Sequence, residues 1–510
     1  MNGCVDGHVS CTPEPRSDHW YPTRLLDLGN PAQDGLTNLR LITTTSCSLE
    51  GYYTTLSHRW GQAEFLQLKR HNLQELHRNV PVAGLPQTFR EAILASKALR
   101  IRYLWIDSLC IVQDDPSDWA YEASQMHMVY SNSHCNISAS HGEDSTEGLF
   151  RDRNSHALCS TEVNFCTTNR LTTKARQAYV LANVVLMRKD IEGCPLNKRG
   201  WVLQERILAP RVLHFCRDQI FFECRTRIAC ELYSAGVPDD YYSPFFPDSI
   251  KTNGALRKKN KASWYEMWRN LVRAYSTMSL TYPSDKLAAI SGVARMVQSA
   301  VHDEYVAGMW REGFLSQLLW IGTPTGVRPS VYRAPSWTWA SVDGAIDFIS
   351  NWFDDSKEEI DAEVVDLHVS YATEDKTGQV LGGWLDMKGS LRSVRLDKTT
   401  LAGEGREESW DMKFRDGDEG PHDIWAYLDD MSLEDIIIVQ QSAAAEHFSM
   451  YVAKNHHLIL RLADHENKLY ERVGIAFDRS LPQFPILGKE PSRSLPCIRY
   501  EDGKHTIRII

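Results

Sequence analysis

Tyr52-Tyr53-Thr54-Thr55-Leu56-Ser57-His58-Arg59-Trp60-Gly61 carries the pattern that sets the fold. Its β-branched and aromatic half, Tyr52 to Leu56, reads as a strand, and the polar-aromatic half reads as the loop that strand enters. Downstream, Pro86 suits a first helical turn, and Phe89, Ala92, Ile93 and Leu99 recur at helical spacing. An amphipathic helix is therefore expected from Pro86 to about Arg100. Tyr103-Leu104-Trp105-Ile106 is continuous and apolar between Arg102 and Asp107, the pattern of a strand covered on both faces. Asp115 as N-cap and Pro116 at the first helical position open a helix through Trp119, Glu122, Met126 and Tyr130. Cys135 to Ala139 is a third strand. Strands alternating with helices predict an α/β fold with a parallel sheet. Ligands of such sheets bind beyond the carboxyl ends of the strands, where Ser57 to Trp60 and Asp107 to Asp115 both fall.

Residues 1–48 carry Pro, Ser and Asn/Asp turns around Leu25-Leu26-Asp27-Leu28 and read as a lead-in. Arg199 to Arg206 has a helical pattern, and Val212 to Phe215 with Ile220 to Glu223 has that of a hairpin, which extends the α/β domain over 49–225. Residues 226–345 are expected to be a mainly helical extension, with Trp264 to Ala300 helical and broken near Pro283. From 346 to 510, alternation at Val365/Leu367/Val369, Leu458/Leu460/Leu462 and Val473/Ile475/Phe477 predicts a β-rich region. The polar stretch from Ala402 to Asp423 reads as a mobile loop between those strands. No internal repeat is evident.

At 510 residues and 43% hydrophobic content the chain can bury several cores. A net charge of −10 provides no broad attraction for phosphate backbones, so no nucleic-acid partner is expected. Arg257-Lys258-Lys259-Asn260-Lys261 is the one basic cluster, and short basic runs in loops are usually solvated. Met1-Asn2-Gly3-Cys4 is not followed by the apolar core of a signal peptide, and Arg508-Ile509-Ile510 carries no lipidation motif. The apolar run Tyr179 to Met187 is too short to span a bilayer. A reducing, cytoplasmic setting without direct membrane insertion is the expectation.

Glu122 is the most informative candidate. It lies three residues after Trp119 and four before Met126, on the stripe the helix should bury, where a carboxylate must be compensated or functional. A structural ion pair with Arg102, Arg151 or Arg153 is the alternative to a catalytic role. Asp107 can orient a ligand hydroxyl or cap its own turn. Trp60 can stack on an aromatic ring. Ser57 and His58 are adjacent on extended chain and point to opposite sides, so they do not make a nucleophile–base pair, and no Gly-x-Ser-x-Gly elbow is present. Cys4, His8, Cys11 and His19 sit in the lead-in, and Cys216, Cys224 and Cys230 lack paired ligand spacing, so no metal is expected. Walker A, Gly-x-Gly-x-x-Gly and His-Glu-x-x-His motifs are absent.

The strings Tyr53 to Gly61, Leu85 to Ile93 and Arg102 to Asp114 resemble, in order and spacing, the opening blocks of the fungal heterokaryon incompatibility (HET) family. The resemblance continues through Asp118-Trp119 with Glu122, Met126 and Tyr130, then Gly148-Leu149-Phe150 with Arg153, then Arg199-Gly200-Trp201-Val202-Leu203-Gln204-Glu205-Arg206. Leu280-Thr281, Asp285-Lys286-Leu287 and Arg333 to Ser341 resemble an extension that accompanies many HET domains. What the family implies is self/non-self recognition that triggers programmed cell death, with a non-self partner protein or allelic variant as trigger and self-association. HET domains are also related to the Toll/interleukin-1 receptor (TIR) fold, a flavodoxin-like parallel sheet. Here Leu56-Ser57-His58-Arg59 resembles the first-strand box of that fold, and Trp119 with Glu122 resembles the helix carrying the catalytic glutamate in TIR enzymes that cleave NAD.

On that resemblance, Glu122 would be the catalytic residue of an NAD glycohydrolase. Ser57, Trp60, Asp107 and Trp119 would bind the substrate NAD, and no cofactor would be needed. The rival is a non-enzymatic HET-domain adaptor acting by self-association or partner binding. A third is a HET-like protein of a metabolic or defence locus without death activity.

Overall fold

The computed structural model describes residues 2–8, 11, 20–32, 39–153, 161–166, 176–181, 188–237, 260–323, 326–348, 360–399, 409–415, 424–429, 447–453, 456–478 and 493–510. The chain divides into two units, Met1–Asn260 and Lys261–Ile510.

The strands of the first unit are β1 (Arg24–Asp27), β2 (Arg40–Thr43), β3 (Tyr53–Ser57), β4 (Tyr103–Trp105), β5 (Cys135–Ser138), β6 (Thr161–Cys166), β7 (Arg176–Leu181), β8 (Arg211–Phe215), β9 (Ile220–Cys224) and β10 (Ile228–Cys230). Its helices are α1 (Asn2–Gly7), α2 (Leu73–Arg78), α3 (Gln87–Ala98), α4 (Asp107–Cys110), α5 (Pro116–Ser131) and α6 (Gly200–Leu208). Eight strands form one sheet in the order β10-β9-β8-β5-β3-β4-β1-β2, and among the described residues β6 and β7 form a separate two-stranded sheet. The inner four, β8, β5, β3 and β4, are parallel, as the strand–helix alternation predicts. Antiparallel hairpins extend both sides, so the sheet as a whole is mixed.

The lead-in is part of this sheet. Leu25 and Leu26 are fully buried, and Leu26 stands opposite Leu104 of β4, so an apolar dipeptide too short to be recognised alone becomes a strand by pairing. Pro86 lies one position outside α3 as its N-cap, and Phe89, Ala92, Ile93 and Ser96 face the sheet. Ser96 Oγ meets Thr54 Oγ1 of β3 at 2.7 Å, which fixes the helix against the strand. Asp115 caps α5 by accepting the amides of Ser117 and Asp118.

Numbered by their order in the chain, the four parallel strands run 2-1-3-4 across the sheet. The direction of winding therefore reverses between β3 and β5, and such a reversal opens a crevice at the strands' carboxyl ends.

The second unit opens with α7 (Lys261–Ser276), α8 (Ser291–Val301) and α9 (Phe314–Gln317), with a short 3₁₀ turn at Pro283–Lys286 where the helical pattern breaks. Between and after them lie two hairpins, β11 (Tyr305–Val306) with β12 (Met309–Trp310), and β13 (Trp320–Gly322) with β14 (Ile346–Phe348). The β-rich region follows: β15 (Glu363–Tyr371), β16 (Val380–Gly389), β17 (Leu391–Thr399), β18 (Ser409–Phe414), β19 (Ile424–Leu428), β20 (His447–Ala453), β21 (His456–Asp464), β22 (Leu469–Asp478), β23 (Arg499–Glu501) and β24 (Lys504–Ile509). Pairing of β22 with both β19 and β21 closes β22-β19-β18-β17-β20-β21 into a barrel. Inside the stretch expected to be a loop, Ser409–Phe414 is a barrel strand; alternate residues Trp410 and Met412 are buried in the barrel core, a period-two signal diluted by the surrounding charges. The rest of Ala402 to Asp423, apart from Arg415, lies outside the described residues, as do Arg257 to Lys259 of the basic cluster. Among the described residues no helix is long and apolar enough to cross a membrane.

Candidate functional site

β3 ends at the reversal, in register with β5 so that Thr55 faces Asn136 and Ser57 faces Ser138. Residues two apart on a strand share a face. Thr55 Oγ1 donates to Asn136 Oδ1 at 3.0 Å, and Asn136 Nδ2 donates to Ser57 Oγ at 2.9 Å. The Ser57 hydroxyl in turn donates to the carboxylate of Glu205, carried in by α6. Tyr130 of α5 joins the same group through hydrogen bonds to Ser57 and Glu205. Glu205 is 6% exposed, and burial pushes its carboxyl up to about 7, although the Arg199 guanidinium and the Ser57 hydroxyl both favour the anion. Such an acid exchanges a proton near neutrality and ionises fully when a cation arrives beside it.

His58 leaves β3 on the opposite side, as extended geometry requires. Its ring stands edge-on to Phe89 at 4.9 Å and to Phe65 at 6.2 Å. Burial holds the imidazole down at about 4, so it is neutral at physiological pH. Its Nδ1 lies 3.8 Å from Asp107 Oδ1. The other Asp107 oxygen accepts the Trp60 indole N–H at 2.9 Å, and the Ser108 amide donates to Oδ1 at 2.7 Å. Asp107 thus both caps its turn and, with its side chain 27% exposed, offers a carboxylate to solvent next to an indole.

Glu122 is elsewhere in the network. It is 1% exposed, as its place on the apolar stripe predicts, and its Oε1 lies 3.8 Å from Arg24 Nη1. Burial raises its carboxyl against the Thr23 hydrogen bond and the Arg24 charge. Arg24 also grips both oxygens of Asp118 and donates to the Cys110 carbonyl at 2.6 Å. The three arginines considered from sequence are engaged otherwise: Arg102 with Asp27, Arg151 with Glu147, Arg153 with Glu231. The partner comes instead from β1, part of the segment read as a lead-in. Among the described residues no hydrogen bond or ion pair links Glu122 to Ser57, Trp60 or Asp107. Trp119 is 39% exposed and meets Trp201 edge-on at 6.5 Å. Truncating Arg24 to Ala leaves two carboxylates, one fully buried, without their cation. Loss of about 3–5 kcal/mol is expected, read as an earlier urea transition of the first unit. Glu122→Gln, which removes a buried charge at constant size, should cost less than half of that.

Three residues of the Ser57 group, Asn136, Tyr130 and Glu205, were not singled out from sequence. For Glu205 a signal exists. Gln204-Glu205-Arg206 sits in a nine-residue helix, and three consecutive polar residues span most of a helical circumference, so one must face inward. Trp201, four residues earlier, is on the same side as Glu205. A second polar group, Ser140–His214–Glu223, has the order of a nucleophile, base and orienting acid at 3.4 and 2.7 Å. All three are fully buried and Arg206 bonds the same Glu223 oxygen at 2.8 Å, so the group ties β8 and β9 to α6.

Comparison with curated proteins and with solved structures finds no match. Residues 53–205, from the first residue of β3 to Glu205, match the family model described as Heterokaryon incompatibility protein (HET). The parallel strands β3, β4 and β5, their helices and the Ser57–Glu205 group all fall inside that span, so residues 53–205 of the chain are a heterokaryon incompatibility (HET) domain.

Proposed function

We propose that this HET domain serves self/non-self recognition by triggering cell-death signalling, and that it does so by cleaving NAD with Glu205 as the acting carboxylate. The observation carrying this reading is the hydrogen bond from Ser57, at the end of β3, to a buried Glu205 with its carboxyl near 7. The 2-1-3-4 order of the parallel strands is that of flavodoxin-like sheets, which supports a TIR-like core. Trp201 with Glu205 supplies the aromatic-and-glutamate pair for which Trp119 and Glu122 were considered.

In the reaction the bond between nicotinamide nitrogen and ribose breaks, and its electron pair leaves with neutral nicotinamide. The ribose becomes oxocarbenium-like, an ionised Glu205 stabilises that cation, and water adds to it with release of a proton. Trp60 and the exposed side of Asp107 hold the ring and hydroxyls of the substrate. A non-self protein or allelic variant would be the trigger, through self-association of the chain in the cytoplasm, with neither nucleic acid nor membrane insertion required.

Nicotinamide release by the purified full chain, alone and in forced assemblies, tests this. Glu205→Gln is expected to lower the rate by roughly 100-fold or more. A wild-type chain that kills cells yet releases no nicotinamide in any assembly overturns this reading and supports the adaptor one.

A further inference from the structure

Cys4, His8 and Cys11 recur at spacings of four and three, so the turn of α1 and the residues after it place all three on one side. The His8 amide donates to the Cys4 carbonyl at 3.2 Å and the Cys11 amide to the His8 carbonyl at 2.9 Å, which holds that spacing in place. Facing them is Cys224, the last residue of β9, more than two hundred positions along the chain. One ligand atom from each of the four residues lies within 4.8 Å of every other. The three sulfurs are buried together against Phe222, and His8 is half-buried.

The separations suit a tetrahedral ion. With metal–sulfur bonds near 2.3 Å and metal–nitrogen bonds near 2.0–2.1 Å, tetrahedral angles put a sulfur and a nitrogen about 3.6 Å apart. His8 Nδ1 is 3.5 Å from Cys224 Sγ and 3.9 Å from Cys11 Sγ. The surroundings are those of a thiolate centre. The Thr226 amide donates to Cys224 Sγ at 3.4 Å, and the Thr226 hydroxyl lies 3.6 Å from Cys11 Sγ.

A second, independent observation is Arg211. It is 2% exposed, its guanidinium donates to the carbonyls of Cys11 at 2.9 Å and His134 at 3.1 Å, and no carboxylate among the described residues pairs with it. A buried cation without an anion is costly. A divalent ion held by three thiolates and a neutral imidazole carries one net negative charge, next to the carbonyl that Arg211 grips.

We propose that Cys4, His8, Cys11 and Cys224 form a structural Zn2+ site that fastens the N-terminal segment to β9. The spacing of the cysteines along the chain conceals it, because the fourth ligand is supplied by a strand at the far side of the sheet. Four protein ligands leave no open position, so the role is structural and separate from the Ser57–Glu205 group.

The test uses the full chain. Purified from zinc-supplemented cells, it should carry about one zinc per chain, and after exchange into Co2+ it should show the intense visible bands of tetrahedral cobalt with thiolate charge transfer. His8→Ala, which keeps all three sulfurs, should shift the cobalt bands while the far-ultraviolet circular dichroism is kept. Cys224→Ser should lose the metal. Wild-type protein that contains no zinc and gives no cobalt bands overturns the proposal, as does a disulfide among Cys4, Cys11 and Cys224 in freshly purified material. So does a cobalt spectrum unchanged by both His8→Ala and Cys224→Ser.

Discussion

Glu205→Gln is expected to stabilise the first unit by about 3 kcal/mol at pH 8 and by almost nothing near pH 4.5. The folded carboxyl is raised to about 7 from an ordinary 4.5, and each unit of difference is worth about 1.4 kcal/mol. Below 4.5 both states are protonated and the group is neutral to stability. Between 4.5 and 7 the unfolded chain ionises while the folded one keeps its proton, so wild-type stability falls as pH rises through that window. Above 7 the penalty is constant. Gln is uncharged throughout and has no such limb. His58 has the opposite sign: its folded value, about 4, lies below the ordinary 6.5, so its share of stability is lost as pH falls from 6.5 towards 4. Burial also lowers His134, to about 4, and His141, which act in the same sense as His58, while the raised Glu122 acts in the sense of Glu205. Relative to wild type, the variant's midpoint should therefore gain steadily as pH rises from 4.5 to 7 and then keep a constant advantage. Calorimetry of the full chain from pH 4 to 8 checks this, and an equal shift at every pH would show that Glu205 titrates normally.

The second large effect lies in the other unit. Arg472 of β22 is fully buried, with its guanidinium 3.5 Å from the centre of the Trp320 ring. It donates to Asp429 Oδ2 and to the Trp320 carbonyl, both at 2.5 Å. Desolvation lowers the guanidinium to about 10 even with Asp429 beside it. Arg472→Ala removes the cation from a buried carboxylate and empties the space under an indole, at a cost of about 3–5 kcal/mol. For a unit of this size the midpoint should drop by roughly 10 °C. Adding Asp429→Asn should recover part of that loss, since the uncompensated charge is then gone. Full additivity of the two substitutions would mean that the ion pair is not what holds this end of the barrel.

The elements legible in the sequence are those with a period of their own. β3, α3, β4, α5 and β5 each appear within a residue or two of their expected bounds, because their apolar spacing and caps are local. What was not legible depends on partners distant in the chain. Leu25-Leu26 is a strand because β2 and β4 pair with it on either side, and Arg24, carried in with it, is the cation that Glu122 faces. The burial of Glu122 follows from the helical stripe, yet the identity of its partner follows from tertiary pairing. Glu205 reaches Ser57 across 148 positions, and Cys224 reaches the N-terminal cysteines across more than two hundred. No spacing rule encodes either meeting.

Glu205, rather than Glu122, is the acid proposed to act in the HET domain. Killing of fungal cells by the full chain, measured for Glu205→Gln and Glu122→Gln at matched protein levels, tests it most directly. Glu205→Gln is expected to abolish killing and Glu122→Gln to retain it. Killing that survives Glu205→Gln, or is lost with Glu122→Gln in a protein that is still folded, would contradict it.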